Sequence, residues 1–257
     1  MNKSLEAFQR LLDIMDRLRV ECPWDRKQTI ESLRHLTIEE VFELSQAIVD
    51  EDYQDVRKEL GDIIMHIVFY SRIAEDRKLF TIDDVINGIC EKLIVRHPHV
   101  FGDVKAENSE EVLKLWGEIK KKEKGQKTQT ETMRGVSSSL PALFRALKVQ
   151  SLAAKVGFDW DDIDGAFCKL KEEVSELERE QPGTDAFAEE LGDLLFSVVN
   201  VARFANVQPE LALSSGIDKF IDRFEKVENA VLSEGKSMSD MSLSELDAIW
   251  DKVKEQE

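Results

Sequence analysis

Carboxylates recur in pairs along this chain, and the same arrangement of pairs occurs twice. In the second copy Glu173 and Glu176 lie three positions apart, as do Glu190 and Asp193. On a helix that spacing places both members of a pair on one face, about one turn apart. Four converging carboxylates repel one another strongly unless a cation lies between them. The pattern therefore predicts a divalent-metal site.

The first copy has the same acidic residue types in the same order. Glu173 lies 133 positions after its counterpart in the first copy, and Asp193 lies 131 positions after its own. Oxygen ligands of this kind select Mg²⁺ over zinc, with Mn²⁺ as the alternative ion. The sequence thus predicts a second, duplicated acidic site formed by Glu40, Glu43, Glu59 and Asp62.

Basic and aromatic residues follow each acidic set. Lys219 and Arg223 lie four positions apart on one helix face and are suited to phosphate oxygens. Trp250 offers a flat surface for a base or sugar, and Lys254 follows one turn later. The first copy has equivalents at Lys92, Arg96, Trp116 and Lys120. The combination indicates a duplicated nucleotide-phosphate hydrolase, with a bound metal and a carboxylate that activates water.

Helices must position these side chains, and helical periodicity dominates the chain. The apolar spacing predicts an acidic helix over 163–180, a turn over 181–184 and a second acidic helix over 191–204. Thr81 is expected to cap a helix of the first half. With only 12 glycines and 5 prolines, a turn-rich β fold is disfavoured. An all-α fold class is expected.

A polar stretch divides the chain. The apolar pattern nearly disappears between residues 120 and 139, and residues 124–138 are interpreted as a polar linker. The linker would separate an N-terminal repeat, residues 1–123, from a C-terminal repeat, residues 139–257. In each repeat the short connection between the acidic helices makes them antiparallel neighbours.

Composition restricts the partners and the compartment. The net charge of −17 repels nucleic-acid polymers and acidic membranes, although a bound metal and local lysines still allow a nucleotide. The longest apolar run, residues 194–202, is interrupted by Ser197 and Asn200 and is too short to span a bilayer. The chain start lacks a signal-peptide pattern, and the cysteines form no close pair, which predicts a cytoplasmic protein.

Further motifs accompany the acidic sets in a fixed order. They are Cys22-Pro23-Trp24-Asp25, Arg96-His97-Pro98-His99-Val100-Phe101, Ser139-Leu140-Pro141-Ala142-Leu143 and Val156-Gly157-Phe158-Asp159-Trp160. With the acids they resemble the MazG nucleoside triphosphate pyrophosphohydrolases over essentially the whole chain. The resemblance implies two tandem MazG-type helical-bundle domains, a homodimer and Mg²⁺. The implied reaction converts a nucleoside triphosphate and water into the monophosphate and diphosphate, by attack on the α-phosphorus.

The resemblance also implies roles for individual residues. The implied metal-binding and catalytic residues are Glu173, Glu176, Glu190 and Asp193. The implied nucleotide contacts are Lys169, Lys219, Arg223, Trp250 and Lys254, with Glu172 and Glu189 beside the ligands as supporting acids or nucleotide contacts.

One difference between the copies predicts unequal activity. Lys169 precedes Glu173 by four positions, whereas Leu36 occupies the matching position before Glu40. The exchange removes a cation one turn from the first acidic set, where a phosphate would need it. We therefore expect the C-terminal copy to perform most of the hydrolysis and the N-terminal copy to be a weak second site.

Other functions remain open from the sequence. A related all-α pyrophosphohydrolase with one narrow substrate, such as dUTP or phosphoribosyl-ATP, would need the same acids. A helical regulatory protein that binds nucleotide without hydrolysis is a non-enzymatic alternative. A di-iron bundle is disfavoured, because it requires Glu-x-x-His pairs that neither acidic set contains.

Overall fold

The structure is a computed structural model that describes residues 2–123 and 125–255. Within these ranges the secondary structure is helical and contains no strand, so the expected all-α class is confirmed. None of the described helices combines the length and apolarity needed to cross a bilayer. The first residue of the predicted linker, Lys124, and the ends of the predicted repeats, Met1, Gln256 and Glu257, lie outside the described residues.

The chain divides into two compact units, residues 1–119 and 120–257. The helices of the first unit are α1 (Lys3–Glu21), α2 (Ile30–Val49), α3 (Tyr53–Asp76), α4 (Ile82–Arg96), α5 (Pro98–Phe101) and α6 (Ser109–Glu123), the last of which continues into the second unit. The second unit continues with α7 (Gln129–Arg134), α8 (Ala142–Ala154), α9 (Ile163–Leu177), α10 (Asp185–Phe204), α11 (Pro209–Ser233) and α12 (Leu243–Lys254).

The segment interpreted as a linker contains secondary structure of its own. Residues 129–134 form α7, which begins after a capping box at Thr128 and packs against α8. The Gln129 side chain donates a hydrogen bond to the backbone carbonyl of Leu152. The division into two repeats and a linker stays a prediction.

Capping residues set the ends of the acid-bearing helices. Asp162 caps α9 by accepting a hydrogen bond from the Gly165 N–H at 3.1 Å. Thr184 caps α10 by accepting one from Phe187 at 3.2 Å. Helix α10 therefore begins at Asp185, earlier than the apolar run alone indicated, because the cap and the following Ala and Glu residues favour helix. The turn over 181–184 and the cap at Thr81 are confirmed.

Asp162→Ala is expected to lower the free energy of unfolding by about 1 kcal/mol, because one donor of the first turn of α9 loses its partner. Urea denaturation followed by circular dichroism measures the change. Asp161→Ala is the matched control, since Asp161 is an exposed neighbour outside the cap. An equal loss in both variants would contradict a capping role for Asp162.

The two units differ in how their interiors are filled. In the first unit large side chains form one core cluster, made of Met15, Leu33, Val68, Phe69 and Ile73. Burying such a residue contributes roughly 1.5–3 kcal/mol. In the second unit the buried apolar residues are small, namely Ala166, Val199, Val227 and Val231. Three polar residues of the second unit, Gln150, Glu173 and Ser197, are buried with them.

Candidate functional site

Three carboxylates from α9 and α10 converge in the second unit. One oxygen each of Glu173, Glu190 and Asp193 lies within 4.8 Å of the other two. These helices pack side by side along their length. Glu173 is buried at 5% exposure, Glu190 is half-buried and Asp193 is exposed. Protein therefore closes one side of this C-terminal acidic cluster, while the other side is open to solvent.

Burial and neighbouring negative charge raise the pKa of Glu190. Burial is the largest cause, and the charges of Glu176, Asp193 and Glu173 act in the same direction. Glu176 thus lies close enough to act electrostatically, although it is outside the group of three converging oxygens. A cation among these oxygens would relieve the repulsion, and an all-oxygen donor set suits a hard divalent ion. The residues present therefore fit such an ion.

Lys169 lies beside the C-terminal acidic cluster. Its Nζ is 2.8 Å from Glu172 Oε1 and 2.7 Å from Glu173 Oε1. Hydrogen bonds to Glu172 and then to Glu173 raise the pKa of the Lys169 ammonium, so this side chain stays charged at neutral pH. A buried carboxylate such as Glu173 requires a partner of this kind. The lysine and the acids form one ionic group.

A cavity of about 590 Å³ adjoins this group. It lies among α7, α8, α9 and α10, and the chain after α8 completes its wall with Phe158 and Trp160. The polar side chains that line the cavity are Gln150, Asp159, Lys169, Ser197, Asn200 and Arg203. Because Lys169 lines the cavity and also contacts Glu173, the cavity and the C-terminal acidic cluster share a side chain.

The first unit has an N-terminal acidic cluster of its own, formed by Glu40, Glu43 and Glu59. Glu59 is fully buried, and its Oε1 is 2.6 Å from Lys58 Nζ. That hydrogen bond lowers the pKa of Glu59, whereas burial raises the pKa of Glu40. Glu59 Oε2 is buried and has no hydrogen-bond partner among the described residues. An unpartnered buried oxygen fits a cation, so this cluster too could hold one.

Each acidic cluster has an adjacent lysine, but the two lysines come from different positions. The first unit has Leu36 where the second has Lys169, yet Lys58 contacts Glu59. In the second unit, the position equivalent to Lys58 lies 131 residues later and is occupied by Glu189, which is exposed. The first unit has no lysine at the position of Leu36, but Lys58 of α3 places an ammonium group beside its acids instead. The presence of an adjacent lysine therefore does not distinguish the two acidic clusters.

The space beside the acids does distinguish the two units. Asn200 and Ser197 line the cavity of the second unit. The equivalent residues of the first unit, 131 positions earlier, are Phe69 and His66. Phe69 is 1% exposed and belongs to the core of the first unit. His66 is 4% exposed, and its Nδ1 lies 2.7 Å from Thr37 Oγ1. Larger side chains thus fill positions in the first unit that border open space in the second.

A smaller cavity of the first unit does not replace the large one. Its volume is about 130 Å³, and its lining includes Gln9, Met15 and Arg72. Within the described residues, none of the three converging acids of that unit lines it. This small cavity and the N-terminal acidic cluster therefore share no side chain among the described residues.

Among the predicted nucleotide contacts on the last helices, Arg223 and Trp250 lie together. The Arg223 guanidinium lies 5.1 Å from the centre of the Trp250 ring, and the Phe220 ring lies 5.2 Å from it. Lys219 and Lys254 are exposed. Within the described residues, none of these side chains lines the cavity or belongs to the C-terminal acidic cluster. Their role in binding stays a prediction.

Apart from Lys169, the polar residues that line the cavity were not identified as site residues from the sequence. Gln150 follows Leu143 and Leu147 along α8, and Asn200 interrupts the apolar run of α10. Polar residues at core-facing positions are an available signal, since their burial costs free energy unless they have partners. Periodicity alone does not distinguish such a residue in a filled core from one beside a cavity.

Comparison with known proteins gives consistent matches. A family model described as the MazG nucleotide pyrophosphohydrolase domain matches residues 28–101 and 166–232. The chain is 43% identical over 256 residues to the nucleoside triphosphate pyrophosphohydrolase/pyrophosphatase MazG of Thermotoga maritima, covering 99% of this chain and 98% of that protein. It is 42% identical over 260 residues to the nucleoside triphosphate pyrophosphohydrolase of Escherichia coli K12, covering 98% and 99%.

A solved structure also matches part of the chain. It is described as a mazG-related protein from Thermotoga maritima, and the match covers 44% of this chain and 98% of that one. The sequence identity is 32% and the TM-score is 0.40.

Proposed function

The chain belongs to the MazG family, and from that premise we propose that it hydrolyses nucleoside triphosphates, including deoxynucleotides, to the monophosphate and diphosphate. The C-terminal acidic cluster would hold Mg²⁺, with Mn²⁺ as an alternative ion. The observation that supports this most strongly is the convergence of Glu173, Glu190 and Asp193 beside Lys169 and next to a cavity. The relatives named as nucleoside triphosphate pyrophosphohydrolases match along almost their whole length.

In the proposed reaction a water oxygen attacks the α-phosphorus. The bond from that phosphorus to the oxygen bridging the α- and β-phosphates breaks, and diphosphate leaves with the bridging oxygen. A carboxylate of the cluster accepts the proton of the water. When bound at these acids, a divalent ion would neutralise phosphate charge and make the attacking water easier to deprotonate. The proposed ligands of the ion are Glu173, Glu176, Glu190 and Asp193.

The basic residues bind the polyphosphate in this proposal. Lys169 is held beside the acids by Glu172 and Glu173, so its ammonium is already positioned for a phosphate oxygen. Glu172 is exposed and can release Lys169 to the substrate at small cost. The further proposed nucleotide contacts are Glu189, Lys219, Arg223, Trp250 and Lys254.

We propose a weaker, non-catalytic role for the first unit. Its acids are suited to a cation, but Phe69 and His66 fill the positions that border the cavity in the second unit. Nucleotide chemistry at Glu40, Glu43, Glu59 and Asp62 would lack that space. Cation binding without turnover is the function that these contacts favour.

A homodimer is also part of the proposal. Helix α4 exposes a row of apolar residues in the single chain, namely Val85, Ile86, Ile89, Leu93 and Ile94. Apolar area of this kind is typical of a surface that a second copy covers. Nucleotides are the proposed ligands, and neither a nucleic-acid polymer nor a membrane is proposed as a partner of this acidic chain.

An assay of the full-length protein tests the proposed function. The protein is incubated with Mg²⁺ and each common ribo- and deoxynucleoside triphosphate, and diphosphate and monophosphate are quantified. Equal amounts of the two products from several substrates are expected. Turnover of dUTP or phosphoribosyl-ATP alone would favour a narrow-substrate enzyme. Release of single phosphates would contradict the proposal, and nucleotide binding without any turnover would favour a regulatory protein.

A further inference from the structure

We propose that Arg203 is a positioning residue of the second unit's site. Its ion pair with Asp159 holds the loop between α8 and α9, residues 155–162, against α10, and this loop forms one wall of the cavity beside Lys169. The inference rests on the proposed function, because it identifies residues that set the affinity of the same site for its substrate. Neither member of the pair belongs to the acids or to the predicted nucleotide contacts.

Local hydrogen bonds fix the two ends of the loop. Helix α8 ends in a turn in which the N–H groups of Gly157 and Phe158 donate to the carbonyls of Ala154 at 3.0 Å and Ala153 at 3.2 Å. Gly157 has a φ of +81°, a conformation that glycine adopts without strain. At the other end Asp162 caps α9. These contacts fix where the loop leaves α8 and enters α9, but they do not fix its distance from α10.

Asp159 provides the contact between the loop and α10. Its Oδ2 accepts a hydrogen bond from Arg203 Nη1 at 2.9 Å, and its Oδ1 accepts a second one from Nη2. The Arg203 side chain is 15% exposed and that of Asp159 is 24% exposed, so the solvent screens this pair only in part. Two parallel hydrogen bonds between a guanidinium and a carboxylate also restrict their relative orientation. The centre of the loop therefore has a directional attachment to α10.

The Arg203 guanidinium is held in place by its own helix. Its Nε and Nη2 donate to Asn200 Oδ1 at 3.0 Å and 2.9 Å. Its central carbon lies 4.4 Å from the centre of the Phe204 ring. Both contacts come from neighbours along α10, so they orient the guanidinium independently of the loop. Arg203 thus presents a preoriented partner to Asp159.

The attachment matters because the aromatic side chains of the loop depend on it. Phe158 lines the cavity although it is 82% exposed, so burial does little to fix its position. The Trp160 N–H donates to Asp159 Oδ1 at 2.9 Å. A Cβ added at Gly165 would lie 3.0 Å from the Trp160 Cβ, so Trp160 packs on the first turn of α9, the helix that bears Lys169. Loss of the ion pair should therefore loosen this wall of the cavity.

The first unit has an equivalent arginine with a different partner. Arg72 precedes Arg203 by 131 positions, and its guanidinium lies 2.8 Å from an Asp16 oxygen and 2.8 Å from a Glu75 oxygen. Arg72 thus joins α3 to α1, whereas Arg203 joins α10 to a loop that borders the large cavity. Arg72→Met is therefore a matched control, since it removes an ion pair between elements without changing that loop.

Steady-state diphosphate release by the full-length protein with Mg²⁺ tests the proposal. Asp159→Ala is expected to raise KM about tenfold, the equivalent of about 1.4 kcal/mol. It should leave kcat within about twofold, because a wall remote from the reacting atoms binds the substrate and the transition state equally. Asp159→Asn keeps acceptors for Arg203 and for the Trp160 N–H, so it should raise KM less. Mass spectrometry should show faster backbone hydrogen exchange over residues 157–160 in Asp159→Ala, and Arg72→Met should leave both quantities unchanged.

A double variant tests whether the two side chains act as a pair. Arg203→Met should raise KM as Asp159→Ala does, and the combined variant should raise it no further, because the interaction is already lost in each single variant. Multiplied increases in the double variant, an unchanged KM in Asp159→Ala, or an equal increase in Arg72→Met would overturn the proposal. If the unsubstituted protein releases no diphosphate, the proposed function fails, and the dissociation constant of adenosine monophosphate then replaces KM in the same comparison.

Discussion

Asp193→Asn is expected to lower kcat for diphosphate release by roughly 10²–10³-fold, the loss typical when one charged group that stabilises a transition state is removed. Asp193 is exposed and belongs to the C-terminal acidic cluster. Substituting it removes the charge of a proposed metal ligand without opening a core cavity. The measurement is steady-state diphosphate release with saturating Mg²⁺, together with the thermal stabilisation that Mg²⁺ provides, which should also decrease.

The matched control for this substitution is Asp62→Asn. Asp62 precedes Asp193 by 131 positions and lies outside the three converging oxygens of the first unit. It should leave kcat within about twofold, since substitutions away from special contacts usually change free energies by no more than about 0.5 kcal/mol. A large loss in Asp62→Asn with little change in Asp193→Asn would place the active site in the first unit.

Lys169→Met is expected to lower kcat/KM by about 10–100-fold, because a charge-assisted hydrogen bond to a phosphate contributes roughly 1.5–3 kcal/mol. The variant also leaves buried Glu173 without its lysine, so Lys169→Arg should recover part of the activity by keeping the charge. Kinetics with a nucleoside triphosphate measure the change, and thermal melting with and without Mg²⁺ identifies any loss of folded protein.

Lys58→Met is the matched control for Lys169→Met. Lys58 contacts the buried Glu59 as Lys169 contacts Glu173, so both variants remove a lysine from a buried carboxylate. Only Lys169 also lines the cavity of the second unit. Lys58→Met should therefore lower stability with little effect on kcat/KM. Equal losses of kcat/KM in the two variants would show that the lysines act through folding alone.

The two units show how a duplicated sequence pattern can produce unequal sites. Both retain three converging acids and an adjacent lysine. The second unit combines them with a cavity, whereas Phe69 and His66 belong to the buried interior of the first. The two sites therefore differ in the residues next to the acids rather than in the acids themselves.

Much of the fold follows from local signals. Caps such as Thr81 and Thr184 lie directly before their helices, and the hydrogen bonds that they make span only three residues. Low glycine and proline contents disfavour a turn-rich β fold, and the apolar periodicity favours helices. The start of α10 was predicted less accurately, because the apolar run begins at Leu191 whereas the residue that caps the helix is Thr184. Periodicity finds the buried face of a helix rather than its first residue.

The amino-acid sequence by itself determined the helical class and the repeated acidic pattern, because spacing on a helix is a local property. It also determined the resemblance to the MazG family, which the comparisons confirmed. Only the tertiary structure decided that Lys58 replaces Lys169 beside the first cluster, and that Gln150 and Asn200 border open space. Those facts depend on which side chains of different helices meet, and on the space left between them, neither of which spacing along the chain encodes.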